Sequence, residues 1–318
     1  MTDKSSLKVL IIGFGSIGQR HYKNLLSLGY ENVFVYDVDP KKIHDSRFTI
    51  QDLNEKTLKD FNVAFITNPT HLHVETALLA AKAGCNLFIE KPLSHNLKGI
   101  KKLEKTVEKN KLISMVAANM RFHPALSFIK KYLEEEKLGK IYRISHEFGH
   151  FLPYWRPGAD YKVGYAMKKE TGGGILLDDI HEYDLLFWLL DFKDPIESHI
   201  IKNKTGNITE DSEDQATAIF LFPGGIIGTV TSDYLSQTYR RGLVIIGEKG
   251  NITWSLKENI VWLETKNGKK EIFGNKEYDL GEMYLREIEY FLDCVLKRKE
   301  TENSISRAAR LLNQMNIK

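Results

Sequence analysis

The sequence contains few of the features that mark secreted, zinc-binding or membrane proteins. Only two cysteines, Cys85 and Cys294, occur among its 318 residues, and they are too far apart for a disulfide framework or a zinc-ligand spacing. The first apolar run, residues 7–12, is too short to span a membrane and lacks the layout of a signal peptide. We therefore expect a soluble protein of the reducing cytoplasm, with no metal site and no membrane partner.

The sequence also lacks an excess of charge of one sign. It has 45 Lys and Arg against 42 Asp and Glu, a formal net charge of +3, and the basic residues are spread along the chain. This distribution argues against the concentrated basic surface of a nucleic-acid-binding protein, so the expected partners are small molecules. The length and the 42% hydrophobic content suffice for two domains.

The amino-terminal part alternates short β-branched runs with longer helical stretches. This alternation predicts βαβ units, so we assign residues 1–120 to an α/β domain of Rossmann type with a doubly wound parallel sheet. The runs are nearly all apolar, as expected for strands covered by helices on both faces. Strands are predicted at residues 9–12, 33–36, 63–66, 87–89 and 113–116, and helices at 17–28, 71–83 and 97–109.

The second half is dominated by strands. Helices are predicted from Pro124 to about Glu136 and near residues 178–190, on either side of a strand at 141–148. Further strands are predicted at 216–222, 226–231, 243–246 and 260–263, separated by turn signals such as Pro223-Gly224-Gly225, and helices at 282–296 and 305–315. We therefore predict that residues 121–318 form an α+β domain with an open, mainly antiparallel sheet.

A glycine-rich segment, Gly13-Phe14-Gly15-Ser16-Ile17-Gly18, follows the first strand and opens the first helix. In such a G-x-G-x-x-G pattern Gly13 allows a tight turn, Gly15 lets the backbone approach a pyrophosphate, and Gly18 lets helix and strand pack closely. The N–H groups at the helix start, around Ser16 and Ile17, offer partial positive charge to phosphates. The context favours a dinucleotide site over the alternative that the glycines only make a turn.

Asp37 ends the second predicted strand, at the spacing of about twenty residues that dinucleotide sites use. A carboxylate there would accept hydrogen bonds from the adenosine ribose and would repel a 2′-phosphate. We therefore expect NAD to be preferred over NADP. The alternative is a loop carboxylate exposed to water.

With its further motifs, the sequence resembles the Gfo/Idh/MocA family of oxidoreductases over most of its length. The motifs are the glycine segment, Thr67-Asn68-Pro69-Thr70 with His71 and His73, Glu90-Lys91-Pro92, Asn119-Met120-Arg121-Phe122, and Gly172-Gly173-Gly174 with Asp178, His181 and Asp184. The resemblance implies an NAD(P)-dependent dehydrogenase that acts on CH-OH groups. It also implies that the cofactor contacts Asn68, Pro69, His73, Glu90, Lys91 and Asn119.

The implied reaction needs a base and a nearby cation, because an alcohol that gives up a hydride must also release its hydroxyl proton. Family resemblance assigns Lys91 and His181 to the substrate oxygen. Lys91 lies just beyond a predicted parallel strand, at the edge where open α/β sheets bind ligands, and Pro92 fixes its turn. We interpret His181 as the base and Lys91 as the electrostatic partner. The alternatives are the reverse proton transfer, a solvated Lys91 and a core His181.

A carboxylate is expected to orient the imidazole of His181. Asp178 and Asp184 each lie three residues from His181, on one face of a helix that includes both. Inositol dehydrogenases of the family place this carboxylate four residues before the histidine, where this chain has Leu177, so Asp178 is a shifted candidate. Asp179 is interpreted as a cap or a surface group.

Residues 152–161, which lie between the motifs of Lys91 and His181, are rich in aromatic and polar side chains. This aromatic segment suggests a substrate cleft, because Trp and Tyr rings commonly stack on sugar faces. The resemblance of this segment to a family subgroup also points to surface-sugar biosynthesis. An anionic substrate group is expected if Arg156 or Lys168 faces the cleft. Core packing or solvent exposure is the alternative for each candidate. The candidate substrate residues, besides Lys91, Asp178 and His181, are Asn119, Tyr154, Trp155, Arg156, Tyr161 and Lys168.

The first functional interpretation is a dehydrogenase that interconverts a secondary hydroxyl and a ketone on a sugar, sugar nucleotide or cyclitol. Two alternatives stay open: a non-catalytic NAD(H)-binding sensor or regulatory protein, and a reductase of another unsaturated substrate. Extra apolar residues in the strands after Ala216 suggest that the open sheet pairs with another subunit. We expect a homodimer or homotetramer.

Overall fold

The computed structural model describes residues 4–43, 49–155, 161–163 and 167–317. The chain divides into two compact units. The first joins the residues up to Asn119 to Gly281–Asn313, and the second comprises Met120–Leu280 with Gln314–Asn316. This grouping differs from the sequence prediction, which placed all of residues 121–318 in one domain.

The first unit contains a five-stranded parallel sheet in the order β2-β1-β3-β4-β5. The strand order reverses between β1 and β3, so the carboxyl ends of these two strands flank the crevice in which doubly wound sheets bind ligands. β1 and β3 are buried throughout, which explains their continuous apolar runs. The strands are β1 (Val9–Ile12), β2 (Val33–Tyr36), β3 (Val63–Ile66), β4 (Asn86–Ile89) and β5 (Ser114–Val116), and all five predicted strands are confirmed.

The helices of both units follow amphipathic or buried stretches of the sequence. They are α1 (Ser16–Ser27), α2 (Glu55–Leu58), α3 (His73–Ala83), α4 (Ile100–Lys109), α5 (Pro124–Glu134), α6 (Ile175–Asp178), α7 (Ile180–Leu189), α8 (Gly281–Lys297) and α9 (Ile305–Gln314). Gly84 ends α3 with a φ of +96°, a left-handed conformation that glycine adopts without strain. In the described ranges, no helix is long and apolar enough to cross a membrane.

Helix α8 belongs to the first unit because of its packing. It lies against α1, and its Phe291 ring contacts the rings of Phe65 on β3 and Phe88 on β4. Glu287 of α8 also accepts a 2.5 Å hydrogen bond from the backbone N of Ala118. These contacts join residues far apart in the sequence, so the change of pattern near residue 120 could not reveal them.

The second unit contains an eight-stranded sheet in the order β13-β12-β11-β10-β6-β9-β8-β7. Only the β6–β9 pair is parallel, which confirms the predicted open, mainly antiparallel sheet. Its strands are β6 (Ile141–Gly149), β7 (Glu197–Asn203), β8 (Gln215–Phe222), β9 (Ile226–Asp233), β10 (Arg240–Gly247), β11 (Gly250–Ser255), β12 (Ile260–Thr265) and β13 (Gly268–Gly274). The prediction lacked β7, β11 and β13. The edge strands β7 and β13 are mostly exposed and polar, so their sequences carry little hydrophobic signal.

The helical region around residues 175–190 is broken in two. The sequence predicts one helix from about Asp178, but the backbone leaves the helical region at Asp179, with φ −99° and ψ 39°. Helix α7 follows and packs against β6 and β9, with nearly all of its residues buried. The break separates Asp178 from the helix that carries His181.

Candidate active site

Two of the three glycines after β1 are required by packing. Gly13 has a φ of +103°, and a Cβ there would lie 2.4 Å from the backbone N of Asn68. A Cβ on Gly18 would lie 2.1 Å from the carbonyl oxygen of Gly13. A Cβ on Gly15, by contrast, would meet no atom of the described residues within 4 Å. Gly15 therefore borders open space, as expected where a pyrophosphate approaches the backbone.

Asp37 is tied to the glycine turn and is not a solvated loop carboxylate. Its Oδ2 accepts a 2.6 Å hydrogen bond from the backbone N of Phe14, and its Oδ1 accepts one of 2.8 Å from the backbone N of Asp39. The ammonium of Lys42 lies 3.4 Å from Oδ1, and the Asp37 side chain is only 6% exposed. The alternative of a carboxylate in water is therefore wrong, because Asp37 supports the turn that leads into α1.

The loop after β3 is hydrogen-bonded to the same turn. The hydroxyl of Thr67 donates to the carbonyl oxygen of Gly13 at 2.6 Å. The Asn68 amide donates to the hydroxyl of Thr76 on α3 at 2.8 Å, and Pro69 then leads into a short 3-10 helix. The segments after β1 and β3 are therefore joined at the switch point of the sheet.

The segment Glu90-Lys91-Pro92 follows β4 and is held at each of its residues. Glu90 is buried, with Oε1 2.7 Å from Nε2 of His21 on α1 and Oε2 accepting a 3.1 Å hydrogen bond from the backbone N of Lys91. The Lys91–Pro92 peptide bond is cis. The carbonyl oxygen of Pro92 lies 2.8 Å from Nδ1 of His73. Lys91 itself is half-buried.

The buried groups of this segment have shifted pKa values. Burial alone would raise the pKa of Glu90, but the hydrogen bond from His21 and the charges of His21, Lys91 and His73 outweigh it and hold that pKa below its ordinary value. Burial lowers the pKa of His73, although carbonyl oxygens face both of its ring nitrogens. Glu90 is therefore a carboxylate at neutral pH, and a fixed negative charge lies next to Lys91 in the chain.

In the second unit, the structure gives Asp184 a different partner from the one predicted. Nε of Arg121 donates to Oδ2 of Asp184 at 2.7 Å, and Nη2 donates to Oδ1 at 2.5 Å. Both side chains are buried, and the guanidinium also lies 4.7 Å from the ring centroid of Phe192. Both carboxylate oxygens accept hydrogen bonds from this fork, and a role of Asp184 in orienting His181 stays a prediction.

Asp179 is buried and paired, so its interpretation as a surface group is wrong. Nη2 of Arg241 donates to Asp179 Oδ1 at 2.6 Å, and Nε of Arg241 lies 2.8 Å from Oε1 of Glu182. Asp179 occupies the N-cap position of α7, but its side chain makes no capping hydrogen bond in the described part of the chain. Burial alone would lower the pKa of Arg241, but the Glu182 and Asp179 carboxylates raise it above its ordinary value. Arg241 thus anchors the two residues that flank the first turn of α7.

Asp178 is buried and is linked through Tyr234 to Trp155 of the predicted substrate segment. Its Oδ2 accepts a 3.0 Å hydrogen bond from the hydroxyl of Tyr234. The ring of Tyr234 packs edge-on against Trp155, with centroids 5.2 Å apart. His181 is half-buried in the first turn of α7. The structure therefore brings Asp178 and Trp155 to one place, and the pairing of Asp178 with His181 stays a prediction.

The other predicted substrate residues differ in exposure. Trp155 is half-buried and donates from Nε1 to the carbonyl oxygen of His150 at 3.0 Å, whereas Tyr154 is 56% exposed. Lys168 is exposed and lies 3.4 Å from a carboxylate oxygen of Glu210. Tyr161 is half-buried, Asn119 is buried, and Arg156 lies outside the described residues. Their roles toward a substrate stay predictions.

Three residues with contacts to predicted site residues or their neighbours were not predicted from the sequence: His21 in the first unit, and Glu182 and Arg241 in the second. His21 had a detectable signal, because it falls between Gly18 and Leu25 on the buried face of α1, where an apolar residue is expected. Arg241 had none, since its partners lie about sixty residues earlier in the chain. Among the described residues, no group of three or more His, Cys, Asp or Glu side chains could hold a metal ion.

Two family models match the chain, one on each side of residue 120. The model described as "Oxidoreductase family, NAD-binding Rossmann fold" matches residues 7–118, and "GFO/IDH/MocA C-terminal domain" matches residues 127–253. The chain belongs to the Gfo/Idh/MocA oxidoreductase family. Its first domain is therefore an NAD-binding domain, as the glycine motif and Asp37 predicted.

Curated Gfo/Idh/MocA relatives match over different shares of the chain. The scyllo-inositol 2-dehydrogenase (NAD(+)) of Bacillus subtilis is 26% identical over 310 residues, 92% of this chain and 87% of the relative. Levoglucosan dehydrogenase of Pseudarthrobacter phenanthrenivorans is 33% identical over 133 residues, 41% of this chain and only 33% of the relative. A solved levoglucosan dehydrogenase in complex with NADH and levoglucosan has a TM-score of 0.83 at 19% identity, covering 98% of this chain and 95% of the other. This structural likeness shows the Gfo/Idh/MocA fold.

The residues at the switch point fit an NAD molecule. The backbone at Gly15 borders open space and stands at the amino terminus of α1, a twelve-residue helix whose N–H groups point toward that space. Asp37 and the loop after β3 flank it. Gly15, Ser16, Ile17 and Asp37 would therefore hold the pyrophosphate and the adenosine ribose.

Proposed function

We propose that this Gfo/Idh/MocA protein interconverts a secondary hydroxyl and a ketone on a sugar, sugar nucleotide or cyclitol. The names of its relatives support this class: they include two inositol 2-dehydrogenases and a levoglucosan dehydrogenase. A structural neighbour titled UDP-N-acetylglucosamine 3-dehydrogenase supports the sugar-nucleotide option. A place in surface-sugar biosynthesis is part of the same proposal.

The observation that carries the proposal is the rigid mounting of Lys91 at the carboxyl end of β4. Its backbone N–H is bound by the Glu90 carboxylate, and the carbonyl oxygen of Pro92 is bound by His73. A cation placed in this way stabilises negative charge that develops on a substrate oxygen without first reorganising. NAD, when bound, supplies the hydride acceptor.

We assign the proton transfer to His181. In the oxidation direction its neutral imidazole accepts the hydroxyl proton, and in the reduction direction its imidazolium returns a proton to the carbonyl oxygen. The first turn of α7, which carries His181, is anchored by Arg241 through Asp179 and Glu182. Asp178 is the carboxylate we assign to orienting the imidazole, because Asp184 is engaged by Arg121.

We assign substrate binding to the aromatic segment and its neighbours. Trp155 is held by His150 and Tyr234, so it offers a fixed ring face for sugar C–H groups. Tyr154, Tyr161 and Asn119 supply hydrogen-bonding groups. Arg156 and Lys168 are the cations for an anionic group such as a nucleotide phosphate.

We further propose that the open sheet of the second unit pairs with another copy of the chain. The strand register places four exposed apolar side chains on one face of the sheet. They are Ile201, Ile219, Ile227 and Val244. An apolar sheet face of this kind favours a homodimer or homotetramer.

The proposed function is tested by a turnover screen. Purified protein is mixed with NAD⁺ and a panel of sugars, sugar nucleotides and cyclitols, and absorbance of the reduced nicotinamide is followed. We expect turnover with at least one member of the panel. Firm NADH binding with a silent panel, run in both reaction directions, would contradict the proposed substrate class.

A further inference from the structure

A buried histidine on the phosphate-binding helix contacts the motif that carries Lys91. His21 lies three residues after Gly18, is fully buried, and has Nε2 2.7 Å from Oε1 of Glu90. Its ring is surrounded by the aromatic rings of Phe65 at 5.7 Å, Phe88 at 5.2 Å and Tyr284 at 6.3 Å between centroids. A polar ring in such surroundings needs a reason, because an apolar residue would pack there without a desolvation cost.

The contacts of His21 define the direction of its hydrogen bond to Glu90. Glu90 is a carboxylate and can only accept, so the ring donates from Nε2. Within the described residues, Nδ1 has no hydrogen-bond partner. His21 therefore donates from Nε2 to one acceptor, the carboxylate of Glu90.

Glu90 transmits this contact to Lys91. One carboxylate oxygen is held by His21, and the other accepts the backbone N–H of Lys91 at 3.1 Å. A carboxylate held at one oxygen cannot rotate away from the backbone N–H that the other oxygen binds. His21, Glu90 and Lys91 thus form a linear chain of contacts from α1 to the end of β4.

We propose that His21 is a positioning residue for Lys91: by fixing the Glu90 carboxylate it orients the Lys91 turn and keeps a negative charge beside the ammonium. This inference rests on the proposed function in assigning Lys91 to the substrate oxygen. It adds a second role to α1, because the helix that offers its amino terminus to the cofactor also sets the position of the catalytic cation.

The test compares two variants of His21 that differ in whether the side chain can donate a hydrogen bond to Glu90. His21→Leu removes the donor, whereas His21→Gln places an amide N–H at nearly the position of the imidazole Nε2. Melting temperature and NADH affinity are measured first, and we expect NADH dissociation constants of both variants within about threefold of the wild-type value, since Gly15 and Asp37 are unchanged. A variant that fails to fold is replaced by Glu90→Gln, which removes the carboxylate that His21 contacts.

The first readout does not depend on turnover. The full chain is treated with a trace of acetic anhydride, and acetylation of each lysine is measured by peptide mass spectrometry. We expect the labelling of Lys91, relative to exposed Lys297, to rise about threefold or more in His21→Leu and to stay at the wild-type ratio in His21→Gln, because only the first variant frees the turn. Equal Lys91 labelling in all three proteins would overturn the inference, whether or not a substrate is known.

The second readout uses whichever substrate the turnover screen identifies. We expect kcat to fall about tenfold or more in His21→Leu and to recover to within about threefold in His21→Gln. The groups that face Glu90 are His21, Lys91 and His73, and loss of the His21 hydrogen bond raises the Glu90 pKa. The deficit of His21→Leu should therefore be larger at about pH 6 than at about pH 8.5.

A deficit independent of pH and unrescued by Gln would indicate packing alone. A screen without turnover would contradict the proposed function, and the lysine labelling would still decide whether His21 positions Lys91.

Discussion

The guanidinium of Arg121 binds both carboxylate oxygens of Asp184, with Nε 2.7 Å from Oδ2 and Nη2 2.5 Å from Oδ1. Arg121 follows Asn119 in the motif near residue 120, and Asp184 lies on α7, one turn beyond His181. Both side chains are almost inaccessible to water. The ion pair therefore fixes the helix that carries the proposed base.

Breaking this pair should destabilise the protein strongly. We expect Asp184→Ala to lower the free energy of unfolding by about 3 kcal/mol or more, because it leaves the buried charge of Arg121 without a partner. The double variant Arg121→Met/Asp184→Leu should recover most of the loss, since it removes both charges. Urea unfolding followed by tryptophan fluorescence measures both. Equal destabilisation by the single and double variants would show that the loss of stability comes from packing and not from charge pairing.

The proposed catalytic pair should be separable from cofactor binding. We expect Lys91→Ala and His181→Ala each to lower kcat by about two orders of magnitude or more while NADH still binds, because each removes a group that acts on the substrate oxygen. Lys101→Ala, at an exposed position on α4, is the matched control and should leave kcat unchanged. Steady-state kinetics and fluorescence titration with NADH are the measurements. Near-normal turnover in either variant would contradict its assignment.

Asp37 should determine the choice between NADH and NADPH. We expect the wild-type protein to bind NADH about tenfold or more tightly than NADPH, because the carboxylate repels a 2′-phosphate. Asp37→Ser should reverse or abolish this preference, since Lys42, 3.4 Å from the carboxylate, then becomes available to the phosphate. Asp39→Ser keeps a side chain able to cap the turn at Lys41 and should preserve the preference. The ratio of the two dissociation constants is the readout, and an unchanged ratio in Asp37→Ser would exclude Asp37 from cofactor choice.

His146 should make the protein less stable in acid. This residue of β6 is buried, and burial together with the charge of Arg241 lowers its pKa to about 3. The unfolded chain takes up a proton near the ordinary histidine pKa and the folded chain does not, so the His146 contribution is present above about pH 6.5 and is lost as pH falls below it. We expect the wild type to lose about 2 kcal/mol more unfolding free energy than His146→Leu between about pH 7.5 and about pH 5. Equal losses in the two proteins would contradict the shifted pKa.

The exposed face of the eight-stranded sheet should control association. We expect Ile219→Glu and Ile227→Glu to convert a dimer or tetramer to a monomer in sedimentation experiments, because each buries a charge in an apolar interface. Ile196→Glu is the matched control. Ile196 is 69% exposed and comes just before β7, where the alternation of side chains along the strand puts it on the face opposite to that of Ile201. A wild-type protein that sediments as a monomer at high concentration would refute the proposed pairing.

Several elements followed from local patterns alone. The parallel strands were predictable because buried strands are continuous apolar runs, and β1 to β5 lie within a residue of the predicted limits. Gly84 was predictable as a helix end for a similarly local reason, since a left-handed residue favours glycine. The break at Asp179 was not predictable, because residues 175–190 contain neither Gly nor Pro to mark the end of a helix.

The members of the candidate site were proposed from sequence motifs, whereas the hydrogen-bond partners of its carboxylates were not predictable. Lys91, His181 and Asp178 were identified from motifs, as were Gly13, Gly15 and the other residues of the dinucleotide segment. The sequence pattern indicated a cap or a surface group for Asp179 and left Asp184 available for His181, because spacing along a helix says nothing of distant partners. Arg121 pairs with Asp184 and Arg241 pairs with Asp179, and each arginine lies about sixty residues from its partner in the sequence.

The sequence by itself determined that this protein has a parallel α/β domain that binds NAD and that it belongs to the Gfo/Idh/MocA oxidoreductase family. Each of these depends on residues that are close together in the chain, and their spacing can be recognised without knowing the fold. Only the tertiary structure decided which carboxylate pairs with which cation, and that His21 reaches the motif of Lys91. Such contacts are decided by packing, because packing buries side chains against one another even when they are far apart in the sequence.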